Sequence, residues 1–305
     1  MNNDMADKHL IAGLESFQLE VKNLNQEKTF YSEVFGLEFA GPPMTGSTLL
    51  RANGTTHHVV ELVEGKRSRF VGIELSTSSR SAVDILVGRL GDAGFSISHP
   101  PALLSEVTGG GYGATVEGVE GLRIQLVYGR VSHSHVLEDR TKPLCLTHVV
   151  LNSNEFERQI NFFVGILGFR VSDITERMTF LRCGADHHTV ALAHGDSMSL
   201  NHAAFAMEDF DSLMYGSGRL LEFGHAIEWG PGRHGPGNNV FCYFIDPEGF
   251  AVEYTTDMDQ VDESYEVGSA EYWTNFPKRP CRWGVAGKPS EKLAMAFAGK
   301  GLIND

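Results

Sequence analysis

The sequence predicts an α+β protein in which two tandem domains each form a curved, barrel-like mixed sheet with helices on its outside. Three observations support this fold class: a repeat that covers most of the chain, a strand–helix–strands pattern within each repeat, and an altered set of polar residues in the second copy. Of the 305 residues, 42% are hydrophobic and 21% are charged, which is the composition of an ordinary folded protein.

The repeat is clearest where each copy begins. The first copy reads LESFQLEVKNLNQEKTFYSEVFGLEFAG from Leu14, and the second reads LCLTHVVLNSNEFERQINFFVGILGFRVSD from Leu144. Each contains a strand of alternating apolar residues, a polar turn with asparagine, an amphipathic helix and a glycine before the next strand. Further along, THHVVELV matches DHHTVALA, and VEGLRIQLVYG matches PEGFAVEYTTD.

Each copy contains two strand–helix–strands units, and the four units begin near Leu14, Phe70, Leu146 and His202. Such small units cannot bury an apolar face alone, so two of them are expected to pair into one curved sheet around a pocket. We therefore divide the chain into an N-terminal domain (1–135), a C-terminal domain (136–256) and a tail (257–305), with a linker over 128–143. The tail is polar with scattered aromatic residues and a short final helix, and is expected to pack across a domain or subunit face.

Charge and cysteine usage exclude several classes of protein. The formal net charge of −14 disfavours nucleic acid and anionic membranes as partners. No secretory signal and no apolar stretch of membrane-spanning length is visible, so we expect a cytoplasmic protein. Neither a disulfide framework nor a zinc ribbon is expected from the four widely spaced cysteines, Cys145, Cys183, Cys242 and Cys281.

Three polar residues interrupt apolar strands of the second copy: His148 in LTHVVL, His202 in NHAAF and Glu253 in AVEYT. An unpaired ionisable group is costly to bury, so each one needs an explanation. Two imidazoles and one carboxylate with open positions are the ligand set of non-haem Fe(II) oxygenases. The corresponding positions of the first copy carry residues that cannot form such a site, namely Gln18, approximately Gly72, and Gln125.

On the motifs LTHVVL, NHAAF and DPEGFAVEY, the chain resembles the type I extradiol catechol dioxygenases of the vicinal oxygen chelate superfamily over about residues 10 to 256. The resemblance implies two domains of paired βαβββ modules, with Fe2+ (or Mn2+) held only in the second, by His148, His202 and Glu253. It also implies that O2 is inserted into a catechol next to its two hydroxyls, giving a muconic semialdehyde, within aromatic hydrocarbon catabolism. A homo-oligomer is expected on the same ground.

The resemblance extends to three further residues, His188, His234 and Tyr243. His188 in ADHHTVAL matches the family's acid–base histidine, and the adjacent His187 is an alternative, because neighbouring residues of a strand face opposite ways. His234 and Tyr243 in GRHGPGNNVFCYFIDPEG match residues that contact substrate. The histidine pair of the first copy, His57-His58, has no ligands beside it and is assigned to structure.

Two other functions remain open for this fold. Glyoxalase-like isomerases and thiol transferases of the superfamily bind Zn, Ni or Mn and use no oxygen. Metal-free binding modules also occur, but the intact triad argues against that alternative. The catechol itself is left open because pocket shape discriminates substituents, and Fe and Mn both accept this ligand set.

Overall fold

The computed structural model describes residues 9–134, 139–275 and 280–300, and within them the chain forms two eight-stranded mixed sheets. The strands of the first sheet are β1 (Ile11–Val21), β2 (Glu38–Phe39), β3 (Ser47–Arg51), β4 (Val60–Glu64), β5 (Arg69–Thr77), β6 (Ser96–Leu103), β7 (Tyr112–Glu117) and β8 (Arg123–Tyr128). Those of the second are β9 (Cys145–Ser153), β10 (Arg170–Ile174), β11 (Met178–Arg182), β12 (Val190–His194), β13 (Ser199–Ala206), β14 (Trp229–Arg233), β15 (Val240–Ile245) and β16 (Ala251–Thr256).

Helices connect these strands in the same places in both halves. They are α1 (Leu24–Thr29) and α2 (Arg80–Asp92) in the first half, and α3 (Phe156–Asn161) and α4 (Phe210–Glu222) in the second. Both α1 and α3 continue into a π-helical turn, over Phe30–Val34 and Phe162–Ile166. Two more helices, α5 (Ala270–Asn275) and α6 (Glu291–Phe297), belong to the tail.

The two sheets have the same topology. The spatial orders are β2-β3-β4-β1-β5-β8-β7-β6 and β10-β11-β12-β9-β13-β16-β15-β14, so each half is a pair of βαβββ modules joined at its two central strands. The predicted fold class, α+β with two tandem pairs of βαβββ modules, is confirmed. The sheets are curved but not closed into barrels, because the first and last strands of each order do not pair with one another.

Local sequence explains where the longer helices begin. The Ser79 side chain accepts a hydrogen bond from the Ala82 backbone N–H at 3.1 Å, and Asp209 accepts one from the Ser212 N–H at 2.8 Å. Each cap satisfies an otherwise unpaired donor of the first turn. Helix α2 then buries a stripe of apolar residues at helical spacing against the sheet, formed by Ala82, Val83, Leu86 and Leu90.

The strand register corrects one sequence expectation. In the second sheet, a row across β9, β13 and β16 is formed by His148, Ala204 and Glu253. In the first sheet, the matching row across β1, β5 and β8 is formed by Ser16, Glu74 and Gln125. Ser16, and not Gln18, is therefore the counterpart of His148, whereas the assignments of Gly72 and Gln125 hold. Gln18 pairs with Gly72 in the first sheet, and Val150 pairs with His202 in the second. Gln18 is therefore the counterpart of Val150.

One continuous apolar core joins the two halves. The Phe35 ring lies 4.9 Å from Phe205 and 4.5 Å from Tyr254, measured between ring centroids. Arg219 on α4 donates to the carbonyl oxygens of Val34 and Phe35 at 2.8 and 3.1 Å. Because the carbonyls at the end of the π-helical turn lack partners within the helix, this arginine both caps the turn and fixes the two halves together.

A carboxyl group is buried where the halves meet. Glu27 on α1 is 0% exposed. Burial, followed by the charges of Asp246 and Glu248, raises the pKa of Glu27 to about 10. The matching position of α3 is occupied by Gln159, which is also 0% exposed and carries no ionisable group. The first half therefore keeps a neutral carboxyl group where the second half uses an amide.

Replacing Glu27 with glutamine is expected to stabilise the fold by about 1 to 3 kcal/mol near pH 8. A glutamate in the unfolded chain ionises near pH 4.5, whereas the folded site holds the pKa near 10, so wild-type stability is lost as pH rises through this window. The gain from glutamine should grow towards about pH 9 and vanish below about pH 4.5. Thermal denaturation at several pH values measures it, with Glu33→Gln at an exposed position as the control. An equal gain in both variants would contradict this account.

The described part of the tail packs on the second half, as predicted. Helix α5 contacts β10, and α6 contacts β13, β15 and β16. The predicted final helix is α6, while residues 276–279 and 301–305 of the tail and 135–138 of the linker lie outside the described residues. All four cysteines are free thiols. Among the helices in the described ranges, none has the length and apolar character that a membrane crossing requires.

Candidate metal centre and active site

His148, His202 and Glu253 lie on three strands that are neighbours in the second sheet, β9, β13 and β16. Glu253 Oε2 is 3.5 Å from His148 Nε2 and 3.2 Å from His202 Nε2. The three residues are at most 6% exposed. Within residues 9–134, 139–275 and 280–300, this is the one group of three histidine, cysteine or acidic side chains whose ligand atoms converge closely enough to hold a metal ion.

The electrostatics of this cluster fit a divalent cation. Burial would raise the pKa of Glu253, but its close contacts with the His148 and His202 side chains outweigh burial and hold that pKa below its ordinary value. Glu253 is therefore a buried carboxylate, and its Oε2 atom has no hydrogen-bond partner in the described part of the chain. Burial lowers the pKa of His202, which keeps this imidazole neutral and able to donate a lone pair. Two neutral nitrogens and one carboxylate oxygen form a ligand set for a divalent transition metal.

A further residue, Asn239, which was not identified from the sequence, holds the Glu253 carboxylate in place. Asn239 Nδ2 donates to Glu253 Oε1 at 3.3 Å and to Thr255 Oγ1 at 2.8 Å. Asn239 is fully buried, and it belongs to the RHGPGNN loop that also carries His234. Its amide occupies Oε1 and so leaves Oε2 facing the two imidazoles. The sequence signal that could have identified Asn239 is an asparagine directly before the apolar strand VFCYFI.

The structure distinguishes between the two adjacent histidines of the second half. The His188 ring lies 4.3 Å from the ring of His148, whereas His187 Nε2 is directed to Asp173 Oδ2 at 2.9 Å. Both precede β12, and their side chains diverge. Gly237, at φ +76°, covers the pair, and a Cβ there would lie 3.0 Å from His188 Cε1. His188, and not His187, therefore lies beside the metal ligands.

Hydrogen bonding fixes which nitrogen of His188 carries its proton. A carboxylate only accepts, so His187 donates to Asp173 from Nε2, and the Nδ1 atom of a neutral His187 is an acceptor. His188 Nδ1 lies 3.1 Å from that atom and must donate to it. This leaves His188 Nε2 as a free base. Burial, followed by the neighbouring His148, lowers the pKa of His188 well below its ordinary value, so the ring is neutral.

Asp173 was not identified from the sequence, although it is a fully buried acid in the strand segment RVSDI. Its Oδ2 atom also accepts from the Tyr265 hydroxyl at 3.2 Å, and its Oδ1 atom accepts from the Gly268 N–H at 2.7 Å. Tyr265 and Gly268 belong to the tail. The tail therefore completes the surroundings of a carboxylate that orients His187 and, through it, His188.

His234 and Tyr243 form a second polar pair at the cluster. The Tyr243 hydroxyl is 2.9 Å from His234 Nε2, and Tyr243 lies directly opposite Glu253 in the β15–β16 pair. Burial is the main cause that lowers the pKa of His234 to about 4 and raises the pKa of Tyr243 well above 10. Both side chains are therefore neutral near pH 7. Trp229, which the sequence did not single out, stacks on Tyr243 with 5.4 Å between ring centroids.

The histidine pair of the first half has a similar internal geometry but different surroundings. His57 Nδ1 and His58 Nδ1 are 3.0 Å apart, close to the 3.1 Å between His187 and His188. His57 stacks on His133, and no metal-binding group forms around the pair in the described residues. The assignment of His57-His58 to structure stays a prediction that agrees with this placement.

The geometry can now be compared with known proteins. A family model described as the glyoxalase/bleomycin resistance protein/dioxygenase superfamily matches residues 146–254. Metapyrocatechase 2 from Cupriavidus necator is 28% identical over an alignment of 278 residues that covers 83% of this chain and 83% of that protein.

Two solved structures share the whole architecture. The Mn(II)-bound glyoxalase from Novosphingobium aromaticivorans is 34% identical, with a TM-score of 0.86 over 93% of this chain and 94% of that one. Homoprotocatechuate 2,3-dioxygenase from Arthrobacter globiformis has a TM-score of 0.83 at 20% identity, over 98% and 94% of the two chains, and so demonstrates a common fold. Identity of 34% along nearly the whole length of two proteins, with the family-model match over the metal-site strands, confirms the recognition made from the motifs. The chain belongs to the glyoxalase/bleomycin resistance protein/dioxygenase superfamily.

Proposed function

We propose that this protein is an extradiol dioxygenase, which opens a catechol ring beside its two hydroxyls and incorporates both atoms of O2 to give a muconic semialdehyde-type product. The observation that carries the proposal is the buried cluster of His148, His202 and Glu253 with the unprotonated Nε2 atom of His188 beside it. Relatives named metapyrocatechase and biphenyl-2,3-diol 1,2-dioxygenase support it.

We assign the metal to His148, His202 and Glu253, and expect Fe2+, with Mn2+ as the other candidate. When bound there, Fe2+ would supply the ability to bind both a catecholate and dioxygen, which no side chain provides. The cluster is 0 to 6% exposed, so bulk water is kept away from it and the charge of Glu253 is screened less than a charge at the surface.

His188 has the geometry of a proton acceptor for a substrate hydroxyl. Its Nε2 atom is unprotonated, and its Nδ1–H is held by His187, so a proton taken up at Nε2 makes a cation that is stabilised through His187 by the Asp173 carboxylate. The same nitrogen can return the proton to a substrate oxygen later in the reaction. Because burial disfavours the charged imidazolium, the proton is given back readily. General acid–base catalysis of this kind contributes about 10²- to 10⁴-fold to the rate.

Tyr243 and His234 would orient the substrate oxygens. The Tyr243 hydroxyl and His234 Nε2 are 2.9 Å apart and both are neutral, so one of them can donate to a substrate oxygen while the other accepts. Stacking by Trp229 and pairing of β15 with β16 hold Tyr243 in place. Donors fixed in this way stabilise charge that develops on oxygen during ring opening.

A second function is favoured by one observation, the 34% identity to a Mn(II)-bound glyoxalase. An isomerase of that kind would use a metal at the same triad and consume no oxygen.

An oxygen-electrode assay of the protein loaded anaerobically with Fe(II), with mono- and bicyclic catechols as substrates, separates the two functions. Oxygen uptake with formation of a yellow product is expected. Full metal loading without oxygen uptake from any catechol would overturn the dioxygenase proposal.

Replacing Asp173 with asparagine is expected to lower kcat about 10- to 100-fold. Asparagine retains an acceptor for the Gly268 N–H but removes the charge that stabilises protonated His188, and it no longer fixes the tautomer of His187. Steady-state kinetics and metal analysis test this, with unchanged metal content as part of the expectation. Tyr265→Phe, which removes a different contact to Asp173, is the control and should keep most of the activity. Equal kinetics in the Asp173→Asn variant and the wild type would remove Asp173 from the mechanism.

The partners follow from the same proposal: a catecholic small molecule and O2, with no nucleic acid and no membrane. Self-association and a cytoplasmic location stay predictions. Light scattering on the purified protein measures the first of them.

A further inference from the structure

Helix α6 of the tail lies directly against the proposed metal site. The Phe297 ring is 5.5 Å from the ring of His202 and 5.3 Å from that of Tyr243, measured between centroids. Leu293 and Ala296 of the same helix are buried in a small apolar cluster that also contains Tyr243. The tail therefore forms part of the wall around a metal ligand.

Two asparagines connect the end of α6 to His202. Asn201 Oδ1 is 2.9 Å from His202 Nδ1, while Asn201 Nδ2 donates to the Phe297 carbonyl oxygen at 2.9 Å and to Asn152 Oδ1 at 3.1 Å. Asn152 Nδ2 donates to the same carbonyl at 2.8 Å. A carbonyl at the last turn of a helix has no partner within the helix, and these two amides satisfy it.

The Phe297 carbonyl fixes the tautomer of His202. Because a carbonyl oxygen only accepts, the amide nitrogen of Asn201 must point to it, and the amide oxygen then faces His202. An amide oxygen also only accepts, so His202 carries its proton on Nδ1. The Nε2 atom, 3.2 Å from Glu253 Oε2, is left with the lone pair that a metal needs.

The first half of the chain provides an internal comparison. Strand β13 has a bulge at Asn201, because Leu200 and His202 pair with consecutive residues of β9, and β5 has the same bulge at Val71. A bulge brings two adjacent side chains towards one face, which is how Asn201 reaches its neighbour. The bulge belongs to the fold of both halves, but only in the metal-bearing half does it carry an amide. Val71 has no hydrogen-bonding side chain to offer.

We propose that Asn201 and Asn152 are positioning residues that couple the docking of helix α6 to retention of the metal by His202. With the helix docked, its terminal carbonyl holds the amides in the one orientation that presents His202 Nε2 to the metal. With the helix displaced, the Asn201 amide is free to turn over and place its NH2 group against Nδ1, which favours the wrong tautomer. The inference rests on the proposed metal site but is independent of the reaction performed there.

Metal release tests this coupling without measuring catalysis. The full-length protein is loaded with Mn(II), mixed with excess EDTA, and the rate of Mn(II) loss is followed. Asn201→Leu is expected to release Mn(II) about 10- to 100-fold faster than wild type. Its control is Asn154→Leu, at an exposed asparagine of the same region whose side chain donates to the Asp196 carbonyl oxygen at 3.2 Å. The unloaded variants should melt at similar temperatures.

A second pair of variants isolates the contribution of the helix. Leu293→Ala removes the fully buried anchor of α6 without touching His202, whereas Met295→Ala changes a side chain that is 46% exposed on the same helix. We expect faster release from Leu293→Ala and wild-type release from Met295→Ala. Equal rates of Mn(II) release from Leu293→Ala and Met295→Ala would overturn the coupling. This comparison tests the coupling even if the Asn201→Leu protein does not fold. A wild-type protein that retains no Mn(II) would instead refute the metal site itself.

Discussion

A protein with Glu253 replaced by glutamine should retain no metal after dialysis and should show only background oxygen uptake with catechols. Glutamine has the size of glutamate, so the packing on β16 is preserved while the buried negative charge is lost. That charge is what offsets a divalent cation in a site where all three ligand residues are at most 6% exposed. Two imidazoles and a neutral amide oxygen leave the cation without charge compensation and with one weaker ligand.

Metal analysis and thermal denaturation with and without Fe(II) measure this loss. The wild-type protein should melt at a higher temperature when metal is present, because a ligand that binds only the folded state stabilises it, and the Glu253→Gln protein should not respond. Asp257→Asn is a matched control, since Asp257 follows the end of the same strand, is exposed and has φ +57°, which asparagine tolerates. Wild-type metal content in the Glu253→Gln protein would exclude the triad as the metal site.

Exchange of His188 for glutamine is expected to reduce kcat by about 10²- to 10⁴-fold while metal content stays at the wild-type level. The His188 side chain is 3% exposed and lies beside His148, yet it is not one of the three converging ligands. Glutamine can hydrogen-bond but cannot take up a proton. The defect should therefore appear in turnover more than in substrate binding.

The matched comparison is His187→Gln, which keeps the His188 imidazole and removes only the neighbour that contacts its Nδ1 atom. We expect a smaller loss of kcat from this variant than from His188→Gln, determined from stopped-flow single-turnover rates at saturating catechol. A severe defect in His187→Gln combined with near-normal turnover in His188→Gln would show that the acid–base role was assigned to the wrong neighbour.

Much of this fold was accessible from sequence because the chain repeats. Period-two alternation in the strands and matching helices identified two copies of two modules, and the sheets have the same strand order in both. The sequence indicated His148, His202 and Glu253 because burying an ionisable residue on an apolar strand costs free energy. Three such residues in one copy and not in the other indicate a common function. Their convergence in space agrees with that argument.

The pairing of His148 with Gln18 shows where pattern reading fails. The correct counterpart, Ser16, is two residues away, and a shift of two residues along a strand leaves every side chain on the same face. Alternation of apolar and polar residues therefore cannot distinguish the two registers. Hydrogen bonding to β4 and β5 does, because a ladder pairs specific residues rather than faces.

The strands, the modules and the three metal-ligand candidates follow from sequence, because hydrophobic periodicity and the cost of buried charge act on each segment of the chain locally. The placement of Asp173 behind His187, of Asn201 between His202 and the Phe297 carbonyl, and of the tail against the site follows from tertiary structure. Each of these contacts joins residues from different elements or depends on which way one side chain turns. Such contacts produce no periodic pattern in the sequence, because they form only when distant strands and the final helix have packed together.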